Sequence, residues 1–137
     1  MPACCSHTNL NCPVDATIRL IGGKYKALIL WHLVGAPLRF GALKALIPQA
    51  TPKMLTQQLR ELEADRLITR TVYPEVPPHV EYALTDFGLS LKAVLDSMYR
   101  WGEGYMADNQ LAITCSMSPP DGARGSAKQS STAKPNR

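Results

Sequence analysis

Residues 51–65, TPKMLTQQLRELEAD, constrain the fold more than any other stretch of the chain. Thr51 is an efficient N-cap because its hydroxyl can accept from a backbone N–H of the first turn. Pro52 then falls at N1, where the N–H it lacks has no intrahelical partner anyway. Leu55, Leu59 and Leu62, four and three residues apart, form one stripe that has to be buried. Just upstream, Leu43, Leu46 and Ile47 mark a short helix that Pro48 must stop. Two helices around a turn as tight as Pro48-Gln49-Ala50 leave few motifs open.

The flanks narrow the choice. Pro13 can open a first helix, with Ile18, Leu20 and Ile21 as its apolar face and Gly22-Gly23 as its end. Lys24 to Val34 predicts a second, core helix through Tyr25, Leu28, Ile29 and Leu33, ended by Gly35 and Pro37. Leu38-Arg39-Phe40 is short and extended. After the Thr51 helix, ITRTVY (68–73) and VEYAL (80–84) alternate with period two and are joined through the proline-stiffened segment 74–78, which predicts a hairpin. Thr85 then caps a predicted long last helix, whose Phe87, Leu91, Val94, Met98, Trp101 and Tyr105 step by four and three in a heptad-like seam. The order predicts an α+β, mainly helical chain: a winged helix-turn-helix domain flanked by N- and C-terminal dimerisation helices. Ile18 and the seam from Phe87 to Tyr105 are the expected dimer interface.

With the leucine stripe turned inward, Lys53, Gln57, Arg60, Glu61 and Ala64 take the opposite face of the Thr51 helix. Gln can pair bidentately with adenine, and Lys or Arg with guanine, in the major groove of double-stranded DNA, so Lys53 and Gln57 are the leading candidates for base edges. Met54 and Gln58 lie in the same turns, and the N-terminus at Thr51-Pro52 can hold a phosphate. Arg39, Arg70, Tyr73 and His79 supply further donors, with His79 expected to be held outward at the hairpin tip. Glu75 and Glu81 oppose any phosphate contact there.

Net charge adds little to this. Arg124, Lys128, Lys134 and Arg137 against the single Asp121 place most of the +4 in residues 118–137. Residues 1–12 read as a flexible arm, 13–107 as the folded domain and 108–137 as a largely disordered tail rich in Ser, Pro, Gly and Ala. No run approaches the roughly 20 apolar residues of a membrane span, and the first dozen residues lack the pattern of a secretion signal, so a cytoplasmic location without membrane attachment is expected. The three histidines, His7, His32 and His79, belong to no catalytic motif, which excludes an enzyme and predicts no cofactor. Among the cysteines, Cys12 precedes Pro13 at the start of a helix, where the dipole favours the thiolate. Cys4, Cys5, His7 and Cys12 also form a possible zinc or copper set, but adjacent cysteines depart from the usual ligand spacing, and no metal is expected. A winged-helix module that binds protein instead of DNA is the competing function.

The stretches CPVDATIRLIGGKYKALIL, LRFGALKALIP, KMLTQQLRELEADRLITR and VYPEVPPHVEYALTDFG resemble the HxlR-type regulators, a winged-helix group related to the multiple-antibiotic-resistance regulators. The resemblance spans about Cys12 to Tyr105. It implies homodimers joined through the first and last helices, with two Thr51 helices in successive major grooves of a pseudo-palindrome. It also implies a local transcriptional regulator, here expected to be a repressor, that answers to an inducer. That signal is either a small molecule or an oxidant or electrophile acting on a cysteine before the proline, which is Cys12 here. Pairing of Cys12 with the partner's Cys115 is the form this switch takes by resemblance. Two positions depart from the family pattern: Tyr25 stands where tryptophan is common, and Arg66 where glycine or asparagine often follows the Thr51 helix.

Overall fold

The computed structural model describes residues 12–114; Cys4, Cys5, His7 and Cys115 lie outside them. Helix α1 (Pro13–Ile21) begins with Cys12 in an extended N-cap conformation and proline at N1, and ends at Gly22 as the sequence predicts. It buries no residue fully, and Val14 and Ile18 are exposed. Helix α2 (Lys26–Leu33) is the opposite case. Tyr25, Ile29, Leu30, Trp31 and Leu33 are all buried, together with Lys26 and His32, so the helix is covered nearly all round. Leu28, expected in the core, is instead 37% exposed.

Strand β1 (Leu38–Arg39) leads directly into helix α3 (Phe40–Leu46), and Leu43 and Ile47 reach the core. Helix α4 (Pro52–Ala64) starts where the sequence places it: the Thr51 Oγ1 accepts from the Met54 backbone N at 3.1 Å. Leu55, Leu59 and Leu62 are buried at no more than 1% exposure. The helix ends on a left-handed residue, Arg66, with φ 65°. The Leu67 N–H reaches back to the Leu62 carbonyl and the Arg66 N–H to that of Glu63, which satisfies two terminal carbonyls in the Schellman pattern. An arginine thus holds the conformation that glycine usually supplies.

Strands β2 (Ile68–Tyr73) and β3 (His79–Leu84) pair antiparallel, and β1 adds on the far side of β3, in the order β1-β3-β2. Ile68, Arg70, Leu84, Tyr82 and Leu38 occupy the sheet face that meets the core. Thr71, Tyr73, His79, Glu81 and Arg39 occupy the other. Ile68 and Tyr82 are buried, whereas Arg70, further toward the tip, is exposed.

The long last helix does not form as one piece. Helix α5 (Asp86–Leu89) is a single turn, and helix α6 (Lys92–Asp108) starts only after Ser90-Leu91. The Thr85 Oγ1 donates to the Arg66 carbonyl at 2.7 Å and accepts from the Gly88 N at 2.9 Å, which ties α5 to the end of α4. Gly88 lies so close to the Leu67 carbonyl that a Cβ would collide with it. The expected seam is therefore interrupted: Phe87 belongs to α5, and Leu91 is buried in the protomer with little surface left for a partner.

The chain divides between Leu89 and Ser90 into two compact units. In the second, Val94, Met98, Trp101 and Tyr105 still share one side of α6. Met98, Trp101 and Tyr105 are exposed, the last two with stacked rings 5.7 Å apart. Lys92 pairs with Asp96 at 2.9 Å, and Gln110 closes α6 with φ 58°. Among the described residues no helix is long and apolar enough to cross a membrane.

Candidate nucleic-acid interface

Burying Leu55, Leu59 and Leu62 forces the other side of α4 outward. Lys53, Thr56, Gln57 and Arg60, spaced i, i+3, i+4 and i+7, line one shallow depression together with Pro52. Thr56 was missed in reading the sequence, although its spacing from Lys53 and Arg60 is the signal that finds it. Lys53 and Arg60 have no carboxylate within 4 Å among the described residues, so two cations and an amide face outward from the first three turns of a capped helix. Such a surface can neutralise phosphates and hydrogen-bond base edges. Met54 is at the margin, 36% exposed, with its N–H already used by the cap.

The back of α4 is held by polar contacts. The buried Lys26 Nζ lies 2.8 Å from Glu61 Oε1, and the Gln57 Nε2 donates to Glu61 Oε2 at 3.2 Å. The hydrogen bond from Lys26, then that from Gln57, holds the Glu61 carboxyl below the ordinary carboxylate value. Gln58 behaves differently from the outward-reading residue expected of it. It is half-buried, and its Oε1 accepts from the Tyr25 backbone N at 3.2 Å. Gly23 makes this approach possible, since a Cβ there would strike the Gln58 Oε1. Gln58 therefore ties α4 to the start of α2. The Tyr25 hydroxyl donates to the Gln49 carbonyl at 3.2 Å, so the residue that departs from the family pattern also fastens the turn between α3 and α4.

The hairpin corrects a second expectation. His79 is not held out at the tip: its side chain is only 16% exposed, stacked on Tyr73 with centroids 4.7 Å apart. Its Nδ1 is 3.5 Å from Glu75 and its Nε2 3.9 Å from Glu81. The tip residues 74–78 are all exposed, Val76 almost completely. Arg70 lies on the opposite sheet face from Tyr73 and His79, so these three do not form one patch. Arg39 is exposed and registers against Glu81.

Cys12 is half-buried at the N-cap of α1. Among the described residues no group of His, Cys, Asp and Glu is arranged to hold a metal.

Residues 20–110 match the family model described as HxlR-like helix-turn-helix. The chain is 51% identical over 94 residues to the uncharacterized HTH-type transcriptional regulator YdeP of Bacillus subtilis strain 168, covering 69% of this chain and 73% of YdeP. It is 52% identical over 96 residues to YtcD of the same organism, covering 70% and 76%. Among solved structures it is similar to the redox regulator HypR in its oxidized form, at 47% identity and a TM-score of 0.65, covering 67% of this chain and 95% of HypR. The reduced form of the transcriptional regulator YodB from B. subtilis superposes with a TM-score of 0.57 at 35% identity, covering 69% and 93%. With a matching family model, near-half identity to its relatives and a capped helix exposed behind a three-stranded wing, the chain belongs to the HxlR-like helix-turn-helix family of DNA-binding transcriptional regulators, which are not enzymes.

Proposed function

We propose that the protein is a homodimeric repressor that places two copies of α4 in successive major grooves of a pseudo-palindromic operator, about 34–36 Å apart. The observation that carries this reading is the outward stripe of Lys53, Thr56, Gln57 and Arg60 on a helix whose opposite stripe is buried and whose N-terminus is capped by Thr51. Lys53 and Gln57 read base edges, Arg60 and the helix N-terminus hold phosphates, and Arg39 and Arg70 add backbone contacts from the sheet. Gln58, Tyr73 and His79 support this surface from behind and from the wing. Dimerisation uses the exposed apolar residues of α1, Val14 and Ile18, and those of α6, Met98, Trp101 and Tyr105, because patches of this kind on a monomer favour association. Oxidation or electrophile attack at Cys12 controls DNA binding. This is supported by its place at a helix N-terminus and by the likeness to the redox regulator HypR.

Fluorescence anisotropy on an operator fragment, with wild type, Lys53→Ala and Gln57→Ala, tests the reading. Both substitutions are expected to weaken specific binding, and unchanged affinity and preference in both would sink it. Diamide treatment is expected to reduce DNA binding of the wild type but not of Cys12→Ser. Equal responses of the two proteins would remove Cys12 from the mechanism.

A further inference from the structure

Glu61 is an acidic side chain on the helix proposed to face DNA, where it should repel phosphate. Its surroundings give it a different use. Gln57 and Glu61 are one turn apart on α4, and the Gln57 Nε2 lies 3.2 Å from Glu61 Oε2. The other carboxylate oxygen is 2.8 Å from the Lys26 ammonium, whose side chain is 9% exposed and comes from α2. One carboxylate thus joins an exposed amide to a buried cation. We infer that Glu61, anchored by Lys26, is a positioning residue that fixes which edge of the Gln57 amide is offered to DNA. This rests on the reading of Gln57 as a base contact and sharpens it to a base.

The chemistry runs one way. An ionised carboxylate only accepts hydrogen bonds, so the amide must turn its nitrogen toward Glu61; the flipped amide would set two oxygens against each other. A glutamine at an exposed position without such a partner presents either edge. With one Nε2–H committed to Glu61, Gln57 retains one N–H donor and the Oε1 acceptor. That pair complements N7 and the N6 amino group of adenine in the major groove. Guanine offers two acceptors, N7 and O6, on the same edge and leaves Oε1 facing an oxygen. Lys26 contributes twice. It neutralises Glu61 from the protein side, and its burial removes the freedom that makes an exposed i, i+4 pair a poor clamp.

The full-length protein is incubated with a duplex library randomised across the binding site, and the bound pool is sequenced for wild type, Gln57→Ala, Glu61→Ala, Glu61→Gln and the Gln57→Ala/Glu61→Ala double variant. Thermal midpoints are recorded for each. At one base pair per half-site, Gln57→Ala is expected to lose an adenine preference of about fivefold or more, the scale of a bidentate pair. Glu61→Ala should lose most of the same preference at the same position, and the double variant should lose no more than Gln57→Ala alone. Glu61→Gln, whose one amide oxygen is claimed by Lys26 so that its NH2 group faces Gln57, should lose the preference as well. If Gln57→Ala loses the preference and Glu61→Ala keeps it, the positioning role is overturned while the base contact stands. If Gln57→Ala itself keeps the preference, the base contact falls and the positioning role with it. A loss in Glu61→Ala that is uniform across all sequences and tracks a lowered thermal midpoint assigns Glu61 a structural role and also overturns the inference.

Discussion

Helix α4 and the β2–β3 hairpin are neighbours in the chain, and both carry polar groups suited to DNA, yet they spend them differently. On α4 the apolar residues are buried and Lys53 and Arg60 are left without carboxylate partners among the described residues. On the hairpin His79 lies between Glu75 and Glu81 and is stacked on Tyr73, so the donors are turned on the wing itself. A helix has two faces, and one can be given wholly to the core. A hairpin that projects past the core must use its own side chains to hold its shape. The proposed sequence-specific contacts therefore fall on α4, with the wing as a flank.

The contrast is sharpest in stability. Leu59→Ala, which empties a fully buried site on α4, should lower unfolding stability by about 2–5 kcal/mol, whereas Val72→Ala on the wing, 50% exposed, should stay within about 0.5 kcal/mol in urea denaturation. Comparable losses would mean that the wing is part of the core after all. In DNA binding, Lys53→Ala should weaken operator affinity by about 1–3 kcal/mol if it reads a base edge, and His79→Ala by less than about 0.5 kcal/mol. Anisotropy at fixed salt checks both, and an equal loss for His79→Ala breaks the comparison.

Where the two regions join, smaller effects are expected. Thr51→Ala should cost about 1 kcal/mol by removing the hydroxyl that accepts from Met54. Arg66→Gly should raise stability by about 0.5–1 kcal/mol, because φ 65° strains any residue with a Cβ, and part of the gain is offset by glycine's freedom in the unfolded chain. A lowered thermal midpoint for Arg66→Gly would show that the guanidinium holds the junction.

The mildest signature is a slope with pH. Burial pushes the His32 imidazole below its ordinary value of 6.5, and its Nδ1 has no hydrogen-bond partner among the described residues. Between the folded value and about 6.5 the unfolded chain binds the extra proton, so stability is full above that window and falls as pH drops through it. Replacing His32 with leucine should flatten this part of the stability profile; an unchanged slope assigns it elsewhere.

Much of α4 was readable in the sequence because its determinants are local: a cap, a proline at N1 and three leucines on one stripe. The hairpin was readable for the same reason, through alternation and turn residues. What escaped reading depends on distant partners. Gln58 falls at the margin of the leucine stripe on a helical wheel, and what it bonds is not local: its partner is the Tyr25 backbone, 33 residues away. The seam from Phe87 to Tyr105 keeps its four-three rhythm across a point where the helix stops, just after Thr85 and Gly88 meet the end of α4. The prolines of the tip suggest an outward His79, whereas its ring is held by Tyr73 across the strand pair. The assignment of Cys115 lies outside the described residues.

Tyr25 has a further consequence, in mechanics. Its backbone grips the middle of α4 through Gln58 while its hydroxyl grips the turn before α4 through Gln49. Two attachments to one buried residue remove the hinge that a helix-turn-helix would otherwise have at its turn. The reading helix then has no private degree of freedom. If the protein works as the proposed dimer, a signal that alters DNA affinity acts by displacing the whole reading unit against the second copy, and operator spacing is then the property expected to be most sensitive to it.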